Sequence, residues 1–225
     1  MELAIRTENL YRYFEVAGGE KFYATNGISI GIEKGTLAIL KGRSGSGKTT
    51  LLNMISALDM PSSGKIYFMG EDITTMPEKK REDIRRIRMG FVFQSIALIP
   101  VMTAYENVDF ALRLAGYEGD RHKRIVDLLS RVGLRKRMDH MVNQLSGGEQ
   151  QRVAIARAVA HHPEIIFADE PTGALDTEAG YKVMELFKEI VRDEGITIVM
   201  TTHDPALMEL GDVVYEIEDG TIVSG

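Results

Sequence analysis

Residues 42–49 of this chain, Gly-Arg-Ser-Gly-Ser-Gly-Lys-Thr, constrain its fold more than any other feature, because they fit the spacing G-x-x-x-x-G-K-[ST]. A short apolar run rich in β formers precedes this loop at 36–40, and residues 48–58 follow it with helical spacing. Glycines let a backbone curl so that successive N–H groups point into one concavity, and a helix that starts there adds its N-terminal dipole. The chain must therefore fold a strand, a tight anion-binding loop and a helix in succession, which is an α/β arrangement.

The side chains of this loop predict that the bound anion is the triphosphate of a nucleotide. Lys48 can reach the β- and γ-phosphates, and the Thr49 hydroxyl is suitably placed for Mg²⁺. A chance match to the pattern has odds on the order of one in a hundred in such a chain, so we expect ATP or GTP to bind here with Mg²⁺. The residues predicted to contact the nucleotide are Gly42, Ser44, Gly45, Ser46, Gly47, Lys48, Thr49 and Thr50.

A second part of the same predicted site is the apolar strand 165–168, which ends in Asp169 and Glu170. Ligands of an α/β sheet bind beyond the C-terminal ends of its strands, so this pair should lie beside the phosphate loop. Asp169 is predicted to bind Mg²⁺ directly or through water. Glu170, one residue on, should point in a different direction from Asp169 and is predicted to polarise the attacking water as a general base. Such Asp-Glu pairs are usually helix caps or surface acids, but the preceding strand and the phosphate loop favour catalysis.

Composition limits the other classes of function. With 225 residues the chain has room for one large α/β domain or two small ones. The absence of cysteine excludes disulfides, cysteine-based zinc sites and thiol catalysis, and a net charge of −6 argues against a dedicated nucleic-acid binder. The charged segment 1–10 shows no signal peptide, and the apolar stretch 96–102 is about a third of the ~20 residues that a spanning helix needs. We therefore expect any link to a membrane to run through a partner.

The order of strand and helix patterns predicts a mainly parallel sheet with helices on its faces. The first forty residues read as strands, with a hairpin or loop at 14–23, and the last third alternates strand and helix before a terminal hairpin. Residues 94–160 are mostly helical and are interpreted as a subdomain inserted between core strands. The whole chain, 1–225, is interpreted as one domain.

Residues 145–150, Leu-Ser-Gly-Gly-Glu-Gln, open a predicted helix. Ser-Gly-Gly alone indicates only a good helix N-terminus, although an exposed one is also a second anion site. The order of phosphate loop, Gln94, this segment, Asp169-Glu170 and then His203 resembles that of the ATP-binding-cassette ATPases over essentially all 225 residues. That resemblance implies a P-loop NTPase with an N-terminal antiparallel β subdomain and an inserted α-helical subdomain.

The resemblance also implies roles for residues outside the phosphate loop. Gln94 resembles the glutamine that touches Mg²⁺ and the attacking water and senses a membrane partner, and His203 resembles the switch histidine at the γ-phosphate. Asp176 resembles the loop that crosses a dimer interface. The signature that contacts the γ-phosphate of ATP held by the other copy is matched by Ser146, Gly147 and Gly148.

An aromatic residue near the N-terminus is implied to stack on adenine. Similarity favours Phe14, with Tyr13 and Tyr11 as alternatives. The implied assembly is a head-to-tail dimer of two copies, in which each ATP lies between the phosphate loop of one copy and the signature of the other. Hydrolysis then opens the interface.

Residues 91–94, 98–108 and 170–176 resemble the branch that serves lipoprotein release, macrolide export and antimicrobial-peptide resistance, and the cell-division ATPase is also close. This branch implies an ATPase subunit that is cytoplasmic and peripheral on the inner face of the membrane, where it drives a permease with a large extracytoplasmic domain. The alternative is a regulatory cassette ATPase that signals to a membrane partner without transport. Cassettes of DNA repair carry coiled-coil insertions and ribosomal ones are paired in one chain, so no nucleic-acid partner is expected.

Overall fold

The computed structural model describes residues 2–16 and 18–225. The strands are β1 (Leu3–Glu15), β2 (Lys21–Ile28), β3 (Gly31–Glu33), β4 (Leu37–Lys41), β5 (Ser63–Phe68), β6 (Glu71–Asp72), β7 (Met89–Val92), β8 (Ile165–Ala168), β9 (Thr197–Thr202), β10 (Val213–Glu218) and β11 (Thr221–Ser224). The helices are α1 (Lys48–Ile55), α2 (Glu78–Arg88), α3 (Ala104–Ala115), α4 (Arg121–Arg131), α5 (Gly147–Val159), α6 (Thr177–Glu194) and α7 (Pro205–Met208).

The central sheet has the strand order β11-β10-β4-β9-β8-β7. Its inner pairs are parallel, and β11 joins β10 in an antiparallel hairpin at one edge. Every residue of β8 and β9 is buried, as expected for parallel strands that are covered on both faces. The predicted mainly parallel sheet is confirmed.

A second, antiparallel sheet is built from the N-terminal strands in the order β2-β1-β5-β6, with β3 also paired to β1. The predicted hairpin at 14–23 is the junction of β1 and β2, where Glu15 pairs with Lys21 and Phe14 with Phe22. Ala17, within that predicted hairpin, lies outside the described residues, as does Met1. The predicted antiparallel N-terminal sheet is confirmed.

The central sheet is covered on both faces because successive residues of its strands point to opposite sides. In β4, Leu37 and Ile39 pack into a core shared with α3, α4, α5 and α6, whereas Ala38 and Leu40 pack into a core shared with α1 and the N-terminal sheet. An uninterrupted apolar strand is therefore what this three-layer arrangement requires.

The chain between β7 and β8 is helical, and its helices have strong local start signals. Thr103 and Glu106 form a capping box at α3, and Gly116 ends that helix in the left-handed conformation with φ 71°. The helical insertion in the fold is thus confirmed, while the boundaries 94–160 and the single domain 1–225 stay predictions. In the part of the chain that the structure describes, no helix combines the length and apolarity needed to cross a bilayer.

Candidate nucleotide site

The phosphate loop lies between the end of β4 and the start of α1, and its glycines are there for two reasons. Gly42, Gly45 and Gly47 have φ of 152°, 82° and 105°, a region that other residues rarely adopt. A Cβ atom on Gly42 would overlap the carbonyl oxygen of Ile217, and one on Gly47 would overlap that of Ala24. The loop therefore needs glycine both for its backbone angles and for close contact with neighbouring backbone.

Lys48 and Ser46 place polar groups inside this loop. The buried Lys48 ammonium donates to the carbonyl oxygens of Gly42 at 2.8 Å and Arg43 at 2.9 Å. Gly47, the N-cap of α1, has no side chain to satisfy the free N–H groups of the first turn. The Ser46 hydroxyl is buried and has no hydrogen-bond partner among the described residues. An anion in the loop would satisfy these donors.

Three oxygen-bearing side chains meet beside the loop. The Thr49 hydroxyl donates to Oδ1 of Asp169 at 3.2 Å, and Thr201 donates to the same oxygen at 2.7 Å. Asp169 follows β8 directly, and its N–H donates to the carbonyl of Val92 at 2.9 Å. A carboxylate and a hydroxyl at the mouth of a phosphate loop are the oxygen ligands that Mg²⁺ accepts alongside phosphate, so these residues fit the ion.

Glu170 is held by residues that are far apart in sequence. Its carboxylate accepts from Nε2 of Gln94 at 3.2 Å and lies 3.4 Å from Nδ1 of His203. Its N–H donates to the Thr201 hydroxyl at 2.8 Å. With φ 43°, Glu170 has a backbone conformation that non-glycine residues rarely adopt, and such strain is concentrated at functional sites. Of the four residues that the sequence proposes for catalysis, Gln94, Glu170 and His203 are thus brought into contact, and Lys48 lines the same cleft as Gln94 and Glu170.

The cleft above the loop is closed on one side by the first hairpin. Phe14 and Phe22 line it, together with the phosphate loop, Gln94 and Glu170. Tyr13 packs instead on Tyr23, with ring centroids 5.7 Å apart. Tyr11 also packs against Tyr23, at 6.4 Å. Of the three aromatic candidates, only Phe14 lines the cleft.

Phe22 was missed by sequence reasoning because its place depends on strand register. A tight turn around Gly18-Gly19 pairs residue 14 with residue 22, and partners in an antiparallel pair project to the same face. The two glycines were therefore the signal that would have found it.

The Ser-Gly-Gly segment begins α5 on the surface. Ser146 accepts from the N–H of Glu149 at 3.3 Å, and the Glu149 carboxylate accepts from the N–H of Ser146 at 2.8 Å. The hydrogen bond from the Ser146 backbone lowers the pKa of Glu149. Ser146 and Gly147 are exposed, and a Cβ on Gly148 would lie 3.9 Å from Leu175. Within the described residues, none of the signature residues lines the phosphate-loop cleft of its own chain.

Asp176 lies near the signature, one residue after Leu175. It is exposed and caps α6 by accepting from the N–H of Ala179 at 2.8 Å. The structure therefore brings the phosphate loop, Gln94, Asp169, Glu170 and His203 into one cluster. The signature and Asp176 form a separate, exposed group.

An apolar groove lies beside the strand that leads to Gln94. It is lined by Arg85, Arg86, Met89, Gly90, Phe91, Phe93, Ala97, Phe110, Ala111, Leu114, Arg157, Ala158 and His161. Arg157 donates to the carbonyl oxygens of Ala97 at 2.6 Å and Ile96 at 3.4 Å, and burial lowers its pKa. Ile96 and Ala97 have φ of 65° and 50°, so one guanidinium binds two consecutive residues in an unfavourable conformation.

Known proteins have similar sequences and a similar fold. The family model described as ABC transporter matches residues 25–173. The ABC transporter ATP-binding protein YtrE of Bacillus subtilis is 45% identical over 199 residues, which are 88% of this chain and 86% of that protein. The macrolide export ATP-binding/permease protein MacB of Vibrio parahaemolyticus is 41% identical over 99% of this chain, which spans only 34% of MacB. A dimeric post-hydrolysis structure of the ATP-binding cassette MJ0796 of Methanocaldococcus jannaschii, bound to ADP and Pi, has a TM-score of 0.89 at 38% identity and covers 98% of this chain and 97% of that chain.

Proposed function

The chain belongs to the ABC transporter family as an ATP-binding cassette, and from this premise we propose that it energises a membrane permease by hydrolysing Mg·ATP in a head-to-tail dimer. The observation that carries the proposal is the convergence of the phosphate loop, Asp169 and Glu170 at the C-terminal ends of the parallel strands β4 and β8, which flank β9. No residue of that cluster is needed to explain the core packing, and each has the chemistry of phosphoryl transfer.

In this proposal the loop and its flanking residues hold the triphosphate. Lys48 would exchange the carbonyl oxygens of Gly42 and Arg43 for oxygens of the β- and γ-phosphates. Thr49 and Asp169 would hold Mg²⁺, which would supply positive charge to stabilise the transferring phosphoryl group.

Glu170 orients the attacking water and accepts its proton. Gln94 and His203 contact its carboxylate from two sides and so fix the direction in which it accepts a proton. His203 is mostly exposed and is free to turn from Glu170 towards the γ-phosphate. Catalysis then depends mainly on positioning, as phosphoryl transfer requires.

A second copy completes the site. Ser146, Gly147 and the adjacent Asp176 are exposed and lie outside the cleft of their own chain, so the anion site at the start of α5 is free for an ATP bound elsewhere. The MJ0796 cassette forms a dimer bound to ADP and Pi. We assign the same arrangement here, with each ATP between the loop of one copy and the signature of the other.

The permease partner is assigned to the apolar groove beside Gln94. Its rim is basic, since α2 carries six Lys and Arg side chains against three acidic ones, and Arg157 in its wall pairs with no carboxylate of the described residues. We expect the occupant to be a cytoplasmic segment of the permease with an apolar face and an acidic residue. The MacB relatives are named as ATP-binding and permease proteins in one, which supports a permease as the partner. That the permease has an extracytoplasmic domain, and that this chain lies on the inner face of the membrane, are parts of the proposal that come from the branch resemblance.

The test is isolation of the protein from its native membrane in mild detergent. The unaltered protein should co-purify with a permease that has a large extracytoplasmic domain. Phe110→Arg, which introduces a cation into the groove, should lose that partner while the isolated chain still hydrolyses ATP. Val223→Arg, at an exposed apolar position on β11, is the matched control and should keep it.

Recovery of a soluble partner or of nucleic acid in place of a permease would contradict the proposal. A permease that stimulates ATP hydrolysis but moves nothing across a vesicle membrane would instead favour the regulatory alternative.

A further inference from the structure

Phe14 and Phe22 form an open aromatic surface at the end of the cleft. They are direct partners in the β1–β2 register and therefore project from the same face of the hairpin. Their exposed fractions are 45% and 56%, high for phenylalanine, and both line the cleft that contains Lys48 and Glu170. Apolar rings that remain this open beside a phosphate loop call for a ligand group that covers them.

The tyrosine rings of the hairpin pack on one another and do not line the cleft. Tyr13 and Tyr23 are the next cross-strand pair, project from the opposite face and pack on each other. One face of Phe14 lies 4.9 Å from the Arg12 guanidinium, which Asp59 holds in place through a 3.0 Å ion pair. The remaining face of Phe14 and the ring of Phe22 are thus the surfaces left to a ligand.

We propose that Phe22 binds the nucleotide base together with Phe14, so that the base lies against rings from both strands of the hairpin. This inference rests on the proposed function, because it needs ATP to bind in this cleft. The side chains at this end, Phe14, Phe22 and Ala24, carry no hydrogen-bonding group. The site can therefore distinguish bases only by the area that they stack on the rings. This favours purine nucleoside triphosphates over pyrimidine ones but distinguishes adenine from guanine poorly.

The experiment measures equilibrium binding of ATP, UTP and inorganic tripolyphosphate to the full chain. Phe22→Ala should weaken ATP binding by about tenfold, the range measured when one base–aromatic contact is removed. Tripolyphosphate binding should stay within about twofold, because the phosphate loop is untouched, and the preference for ATP over UTP should shrink. Phe22→Leu keeps apolar area but not the π face, so its ATP affinity should lie between those of the unaltered protein and Phe22→Ala.

Tyr23→Ala is the matched control. It removes an aromatic ring from the same hairpin but from the other face, so ATP affinity should change less than twofold. Equal losses in Phe22→Ala and Tyr23→Ala, or parallel losses of ATP and tripolyphosphate, would overturn the inference, because they would show that only the order of the hairpin matters.

Two further outcomes separate this inference from the proposed function. Unchanged ATP affinity in Phe22→Ala with weakened self-association would assign the ring to a contact between copies, which overturns the inference alone. Failure of the unaltered protein to bind ATP would overturn the proposed function and the inference together.

Discussion

The Lys48 ammonium group donates two hydrogen bonds to carbonyl oxygens of its own loop, and these bonds hold it inside the phosphate loop. Lys48→Ala should weaken ATP binding by at least tenfold, because a charge-assisted contact to phosphate is lost in a buried setting. Calorimetric titration with ATP measures this loss of affinity. Lys188→Ala removes an exposed cation from α6 and should leave the affinity unchanged. Equal affinity in both variants would remove Lys48 from the phosphate site.

Among the described residues, the Glu170 carboxylate has Gln94 and His203 as its polar partners and no hydrogen bond to the phosphate loop, so its neutralisation should separate hydrolysis from binding. Glu170→Gln preserves the shape of the side chain and should keep ATP affinity while turnover falls by about a hundredfold or more, since a general base contributes that much. ATP-bound dimer should then accumulate, which size-exclusion chromatography in ATP detects. Glu185→Gln on α6 serves as the control, and normal turnover in Glu170→Gln would exclude Glu170 as the base.

At the scale of elements, the start of α5 combines a stability role with the proposed contact to ATP. Glu149 accepts from the Ser146 backbone, and this bond lowers the pKa of its carboxyl. A lowered folded-state pKa stabilises the protein above the unfolded value of about 4.3 and loses that effect as the pH falls through the folded value. Because Gln at this position still accepts from the Ser146 N–H, Glu149→Gln removes only the charge at the helix N-terminus and should cost about 0.3–1 kcal/mol of unfolding free energy at neutral pH. The difference from the unaltered protein should shrink below about pH 4.

Urea unfolding of the two proteins at pH 7 and at the lowest pH where both remain folded measures this difference. Glu209→Gln, an exposed acid after α7, provides the control. A gap that stays constant across the pH range would show that the capping box does not depend on the charge of Glu149.

Arg157 connects two elements, because it extends from α5 to the loop that follows Gln94. Arg157→Met should loosen residues 95–97, misplace Gln94 and lower kcat. ATP affinity should stay near normal, because Arg157 does not line the cleft that contains the phosphate loop. Hydrogen exchange at 94–98 and steady-state kinetics measure the two effects. Arg157→Lys keeps the charge without the fork that binds two carbonyls and should restore only part of kcat. A fall in ATP affinity without faster exchange would contradict this positioning role.

The sequence predicts those parts of the fold and the site that are encoded by contiguous residues. It does not predict the contacts that depend on strand register or on residues distant in the chain. The phosphate loop and Asp169-Glu170 each follow an apolar strand, so the parallel sheet alone brings them together. Phe22 could not be predicted, because its place in the cleft depends on the register of the first hairpin. Helical periodicity places Arg157 on α5 but does not predict its hydrogen bond to Ile96. The helix predicted over 48–58 ends at Ile55, because Ala57 adopts a positive φ of 58° that helical spacing does not reveal.

At the scale of the whole molecule, the surface position of the signature makes one experiment decisive for the head-to-tail dimer. Ser146→Phe should block the signature without touching the phosphate loop, and Lys48→Ala should disable the loop without touching the signature. Each variant alone should be inactive, since every site of a symmetric dimer would then contain one damaged half. In an equal mixture, half of the dimers combine the two chains, and each such dimer has one site built from two intact halves. ATP hydrolysis should therefore return on mixing to about a quarter of the normal rate, and the phosphate released per minute measures it against each variant alone. A site completed within one chain would give no recovery, because neither chain would then hold an intact loop and an intact signature.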